Sequence, residues 1–184
     1  MLESGQILAR TGGRELRRIV YAPDVIAGRV ARMGAEISSH YPDGEDLLVL
    51  GLLKGSFIFV SDLVREVARP LQVDFLVAAS YGSGTSSSGE LRLLYDPGAD
   101  LRDRHVLLVE DIIDSGTTIN RLAPMLRGRG PKSLEMVALL HKHIAPALEL
   151  EPKWVGFDAP DEFLIGYGLD HSEDFRNLPF IASL

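Results

Sequence analysis

Residues 106–118 read VLLVEDIIDSGTT. The apolar run from Val106 to Val109 has the pattern of a strand buried on both faces. It ends in two adjacent carboxylates, Glu110 and Asp111, and a third, Asp114, follows in a turn of small residues. In an open α/β sheet the carboxyl ends of the strands face the ligand crevice, so the acids stand where a ligand would bind. An acidic pair by itself is compatible with a merely solvated strand end. The DSGTT that follows changes the reading, because Gly116 turns the chain into a helix whose first backbone N–H groups and dipole favour an anion. Ser115, Thr117 and Thr118 add hydroxyl groups to this cradle. A phosphate cradle beside carboxylates suits a ligand that also brings hydroxyls or a hard cation such as Mg²⁺, which commonly joins carboxylates to phosphate oxygens. A sugar phosphate satisfies both requirements.

Outward from this stretch, other apolar runs recur at the length of strands: LLVLGLL (47–53), LQVDFLVAAS (71–80), LRLLYD (91–96) and SLEMVALL (133–140). Between them lie helical periods. Pro23 to Tyr41 carries Ile26, Val30, Met33 and Ile37 on one face behind a proline start signal. Residues 56–68, SFIFVSDLVREVA, repeat at Phe57, Val60, Val64 and Val67. Alternation of strand and helix predicts an α/β fold, a mainly parallel twisted sheet flanked by helices. The helix after Gly116 contains Pro124, which removes a donor and crowds the preceding turn, so a kink or an early end is expected there. After Leu140 the pattern changes to short aromatic pieces, WVGFDAP and EFLIGYG, which suggest a small cap built from the C-terminal part. No repeat or linker divides residues 1–184, which read as a single domain with its cap at about 141–184 and the N-terminus as a candidate addition.

Composition limits the partners. The chain has 184 residues, 46% hydrophobic and 24% charged, with no cysteine and a formal net charge of −7. That length supports a core of ordinary size, and the lack of thiols excludes disulfides and thiolate metal sites. The negative balance argues against nucleic-acid binding. Neither a signal-like segment nor a run long enough to span a bilayer is seen, so a cytoplasmic protein is expected.

Two further loops extend the phosphate reading. GLLKGSF passes from a strand through Lys54 and Gly55 into a helix, offering backbone donors and one cation. SYGSGTSSSGE (80–90) is a glycine- and serine-rich run, either a hairpin tip or an active-site lid. Taken with LLHKH, DEFLIGYGLD and FRNLP in this order, VEDIIDSGTT resembles the phosphoribosyl pyrophosphate motif of the type I phosphoribosyltransferases. Within them the chain is similar to the bacterial hypoxanthine-guanine phosphoribosyltransferases, from about the first helix to Pro179.

The resemblance implies the type I phosphoribosyltransferase fold and a purine salvage enzyme. Such an enzyme converts hypoxanthine or guanine plus phosphoribosyl pyrophosphate to IMP or GMP and pyrophosphate. It implies that Glu110 and Asp111 hold the ribose hydroxyls with help from Mg²⁺, and that Asp114, Ser115, Gly116, Thr117 and Thr118 bind the 5′-phosphate. Asp114 would also be the catalytic base at purine N7. Lys54 and Gly55, with a cis peptide between Leu53 and Lys54, would meet the pyrophosphate together with Arg176. Lys142 would donate to the purine 6-oxygen, Phe163 would stack on the base and the Leu164 backbone would touch its edge. Asp170, at the same end of the cleft, would bind a second Mg²⁺. Ser80 and Tyr81 would begin the lid, and a homodimer or homotetramer is implied. His141 and His143 depart from the family pattern of Asp before and Pro after the lysine, which bears on base preference. A metal site in HKH is the sharper reading of those histidines, but alternate residues on a strand with no third ligand favour a structural role. The rivals at this stage are a transferase for another base such as xanthine, and an RNA-binding regulator on the same fold, against which the net charge of −7 argues.

Overall fold

A computed structural model describes residues 4–80, 91–144 and 147–184. Among the described residues four helices and nine strands follow in order: α1 (Ser4–Thr11), β1 (Arg18–Tyr21), α2 (Pro23–His40), β2 (Leu47–Leu53), α3 (Phe57–Glu66), β3 (Leu71–Ser80), β4 (Leu91–Tyr95), β5 (His105–Ile113), α4 (Thr117–Arg127), β6 (Ser133–His141), β7 (Trp154–Asp158), β8 (Leu164–Ile165) and β9 (Ile181–Ser183). Six strands form the main sheet in the order β4-β3-β2-β5-β6-β7, parallel except for the β3–β4 pair. β1, β9 and β8 form a separate three-stranded antiparallel sheet that joins the N-terminal strand to the C-terminal ones.

The central strands β2, β5 and the second half of β6 are buried on both faces, as their continuous apolar runs require. Alternate residues divide between two cores. Leu47, Val49, Leu107 and Val109 pack with α2 and α3 through Ile26, Met33, Phe59 and Leu63. Leu48, Leu50, Val106 and Leu108 pack with α4 through Ile119, Leu122 and Leu126. A third, smaller core of Ile165, Phe175, Leu178, Phe180 and Ala182 lies under the antiparallel sheet, and Ile7 of α1 packs against it. α1 and the chain after it also reach the C-terminal loop, where Arg14 pairs with Asp174 at 2.7 Å.

The strand order places the site. β2 continues through α3 toward β3 on one side, whereas β5 continues through α4 toward β6 on the other. Connections therefore diverge between β2 and β5, and the crevice beyond their carboxyl ends is the switch point where α/β sheets bind ligands.

Three local expectations differ from the structure. α4 runs through Pro124 to Arg127 and ends there, with the Gly128 N–H donating to the Pro124 carbonyl at 2.9 Å. The proline therefore lies in the last turns of a short helix, where Leu122, Ala123 and Leu126 are buried and hold it against the sheet. In α3 the buried residues are Phe59, Val60 and Leu63, while Phe57 is exposed at the ligand end. WVGFD, expected in the cap, is β7 at the edge of the main sheet. There Trp154 lies edge-on to His40 at 5.3 Å and tilted against Tyr41 at 6.4 Å between ring centroids. Burial of those rings against the end of α2 outweighs the short length of the strand.

Candidate active site

β5 brings Glu110 and Asp111 to the switch point but on opposite faces, as the two-residue period of a strand demands. Glu110 faces a small pocket formed with the run from Ile112 to Ile119, on the side of α4. Asp111 faces the loop after β2, where a Cβ at Gly55 would collide with its carboxylate. The acid pair thus serves two neighbouring compartments separated by its own strand.

Asp114, Ser115, Gly116, Thr117 and Thr118 all line the Glu110 pocket. Gly116 takes the left-handed conformation at φ 73° and opens α4 with no side-chain cap on the helix. The first N–H groups of such a helix have no acceptor within it. The hydroxyls of Ser115 and Thr117 meet at 3.0 Å across the turn. A pocket with uncapped amides, two such hydroxyls and a helix dipole is built for an anion.

Lys142 follows β6 directly. Its N–H donates to the Ile113 carbonyl at 3.0 Å, and its side chain, only 14% exposed, brings the ammonium to 3.5 Å from Asp114 Oδ2. The strand ends of β5 and β6 therefore bring the acid and the cation to one rim. Beside them the His141 and His143 rings are 3.9 Å apart between centroids, and His143 Nε2 meets Asp158 Oδ1 at 2.6 Å. Burial, and then the neighbouring His143, lowers the basicity of His141.

The antiparallel sheet contributes the remaining residues. Phe163 is exposed before β8, with the His171 ring edge-on at 5.2 Å, and its carbonyl accepts from the Leu184 N–H at 3.2 Å. Leu164 is buried as the first residue of β8. Arg176 pairs with Asp170 at 2.9 Å and donates to the Gly168 carbonyl at 2.8 Å. Gly168 lies so close to the β2 loop that a Cβ there would collide with the Gly55 carbonyl. Gly55 is thus enclosed by Asp111 on one side and Gly168 on the other. The peptide between Leu53 and Lys54 is cis. Of the two lid residues, Ser80 ends β3, and Tyr81 with the rest of the serine-rich run lies outside the described residues.

Charge in the crevice is unbalanced. Burial, with Asp111 next to it, pushes the Glu110 carboxyl well above its ordinary range, and Glu110 Oε2 is buried without a partner. Burial likewise pushes Asp111 up to about 6, opposed by its backbone N–H bonds and by Arg176, and reinforced by Asp170. Among the described residues no three His, Cys, Asp or Glu side chains come together as a ready-made cation site. The orphaned Glu110 oxygen and the raised Asp111 still fit a hard divalent cation that takes its other oxygens from phosphate and water. Asp170 stands close enough to bear on Asp111.

Glu173 is the polar residue of this crevice that the sequence reading passed over. Its carboxylate accepts from Lys54 Nζ at 3.0 Å and from Arg176 at 3.2 Å. The available signal was its place three residues from both Asp170 and Arg176 in one short loop.

A family model described as Phosphoribosyl transferase domain matches residues 20–172. The hypoxanthine phosphoribosyltransferase of Salmonella typhimurium is 43% identical over 160 residues, covering 86% of this chain and 90% of the relative. The hypoxanthine-guanine phosphoribosyltransferase of Mycobacterium avium is 42% identical over 175 residues, covering 92% and 86%. A crystal structure of a hypoxanthine phosphoribosyltransferase from Staphylococcus aureus superposes with a TM-score of 0.89 at 36% identity, over 99% of this chain and 96% of that one. Since the likeness extends over nearly the whole sequence and includes the crevice between β2 and β5, the chain belongs to the phosphoribosyltransferase family, in its hypoxanthine phosphoribosyltransferase branch.

Proposed function

We propose that the protein transfers the phosphoribosyl group of phosphoribosyl pyrophosphate to hypoxanthine or guanine, releasing pyrophosphate and forming IMP or GMP. The observation that carries this reading is the rim where the Lys142 ammonium and the Asp114 carboxylate lie 3.5 Å apart above the uncapped start of α4. An ammonium placed there donates to a purine 6-oxygen, and a carboxylate within reach of the same ring accepts its N7 proton.

In this reading the 5′-phosphate lies on the amides and hydroxyls of Asp114 to Thr118. Glu110 and Asp111 take the ribose hydroxyls from the two sides of β5. Phe163 offers its exposed face to the base, and the Leu164 backbone its edge contact. Attack by N9 on the anomeric carbon develops positive charge on the ribose, which the nearby carboxylates stabilise. Asp114 accepts the N7 proton as N9 attacks and returns it in the reverse direction. Lys54, the Gly55 amide and Arg176 receive the departing pyrophosphate. Two Mg²⁺, one beside Glu110 and Asp111 at the ribose and a second at Asp170, would offset the charge of the pyrophosphate. The same reading places the enzyme in the cytoplasm as a homodimer or homotetramer. No helix among the described residues is long and apolar enough to cross a membrane.

The test is pyrophosphate release from phosphoribosyl pyrophosphate and Mg²⁺ with hypoxanthine, guanine, xanthine, adenine or orotate in turn. Release confined to hypoxanthine and guanine is expected. Release with none of the five bases would overturn the reading.

A further inference from the structure

Glu173 has no part in the chemistry above, yet its carboxylate holds both cations assigned to the pyrophosphate. Oε1 accepts from Lys54 Nζ at 3.0 Å and Oε2 from Arg176 at 3.2 Å. One acid thus bridges an ammonium after β2 and a guanidinium from the C-terminal loop, with two oxygens disposed as a phosphate would place its own.

The parts of this bridge differ in how firmly they are fixed. Lys54 and Glu173 are 63% and 65% exposed, so the pair between them is an exposed one of the kind that contributes little and yields to a multiply charged competitor. Arg176 is 19% exposed and keeps Asp170 and the Gly168 carbonyl as partners when Glu173 is removed. The backbone under Glu173 is held separately, since its N–H donates to Asp170 Oδ2 at 2.9 Å. Glu173 and Ser172 lie at φ 68° and 54°, a left-handed stretch that non-glycine residues seldom adopt and that functional loops often retain. The loop therefore presents the carboxylate to the two cations without depending on them.

We infer that Glu173 is a positioning residue whose carboxylate acts as a built-in counter-anion, aligning Lys54 and Arg176 and competing with pyrophosphate for them. This rests on the proposed reading of Lys54 and Arg176 as pyrophosphate partners. The competition lowers affinity for pyrophosphate and for the pyrophosphoryl end of the substrate, and it speeds release of the product.

Titration calorimetry with inorganic pyrophosphate in excess Mg²⁺ tests it on the full chain, for the parent, Glu173→Gln, Glu173→Asp and Lys54→Ala. Glu173→Gln keeps the size and removes the charge, and is expected to bind pyrophosphate about five-fold tighter. Glu173→Asp keeps the charge and stays nearer the parent. In steady-state assays Glu173→Gln lowers KM for phosphoribosyl pyrophosphate and kcat together, a split that simple loss of structure does not produce. Unchanged or weaker pyrophosphate binding by Glu173→Gln overturns the inference, provided that Lys54→Ala weakens binding. If Lys54→Ala leaves pyrophosphate affinity as it was, the assignment of Lys54 fails and the inference falls with it.

Discussion

The titration of Asp111 couples the site to stability. Its carboxyl is pushed up to about 6 chiefly by burial, against an ordinary value of 3.8. The folded chain therefore holds this proton more tightly than the unfolded chain, and stability falls as pH rises from about 4 through about 6. Above that window the penalty is about 3 kcal/mol, and below it the penalty vanishes. In excess chelator, Asp111→Asn is expected to melt about 9 °C above the parent at pH 8, with the gain gone near pH 4. Equal melting of the two proteins across that range would show that burial does not strain the carboxylate. Asp114 poses a different residue-scale question, because its side chain is half exposed and it lines the pocket without being enclosed by it. Asp114→Asn keeps the turn and removes the base, so phosphoribosyl pyrophosphate binding is expected to persist while turnover falls about 10²- to 10⁴-fold. Turnover within a factor of two of the parent would dismiss Asp114 as the base.

Among the elements, the loop after β2 is the most tightly constrained, since Gly55 touches both the acid at the end of β5 and the glycine turn of the C-terminal loop. Gly55→Ala must displace the Asp111 carboxylate, and a shift of about 1 Å at a reacting group can cost about 10²-fold in rate. A kcat/KM within ten-fold of the parent would mean that the seam yields more readily than its geometry implies. The long elements were readable where they bury a continuous run or one helical face: β2 and α2 agree with their patterns to within a residue. Phe57 belonged to the apolar period of α3 but lies exposed, because the helix turns its first residue toward the crevice and buries Phe59 and Leu63 instead. β7 was misplaced because a five-residue strand carries little period, and its place in the main sheet is set by its parallel pairing with β6.

The whole molecule assembles its site from distant parts of the chain, and this limits what the sequence discloses. The acids of β5 and the small-residue turn after them were legible because one local run carries them. The meeting of Lys54 with Glu173, 119 residues apart, follows only from how the antiparallel sheet and its loop lie against the β2 loop. In the proposed reading base selection is likewise a property of the assembly, since Lys142 follows β6 of the main sheet and Phe163 precedes β8 of the smaller one. A nearly buried ammonium offers three donors and no acceptor, so it matches a purine carbonyl and leaves an exocyclic amine unpaired. Sites built around such a bond reject the unmatched analogue by roughly 10⁴-fold. Guanine and hypoxanthine are therefore expected to react where adenine does not. Lys142→Gln, whose amide both donates and accepts, is expected to narrow that gap mainly by losing 6-oxopurine activity. Because Lys142 lies 3.5 Å from Asp114, the variant also removes a positive charge from beside the proposed base, so kcat should fall along with base affinity. Competition between adenine and guanine at equal concentration measures the gap in parent and variant. A parent that converts both bases equally would overturn the role of Lys142, whereas a variant with unchanged selectivity would place the choice of base in the backbone around Leu164.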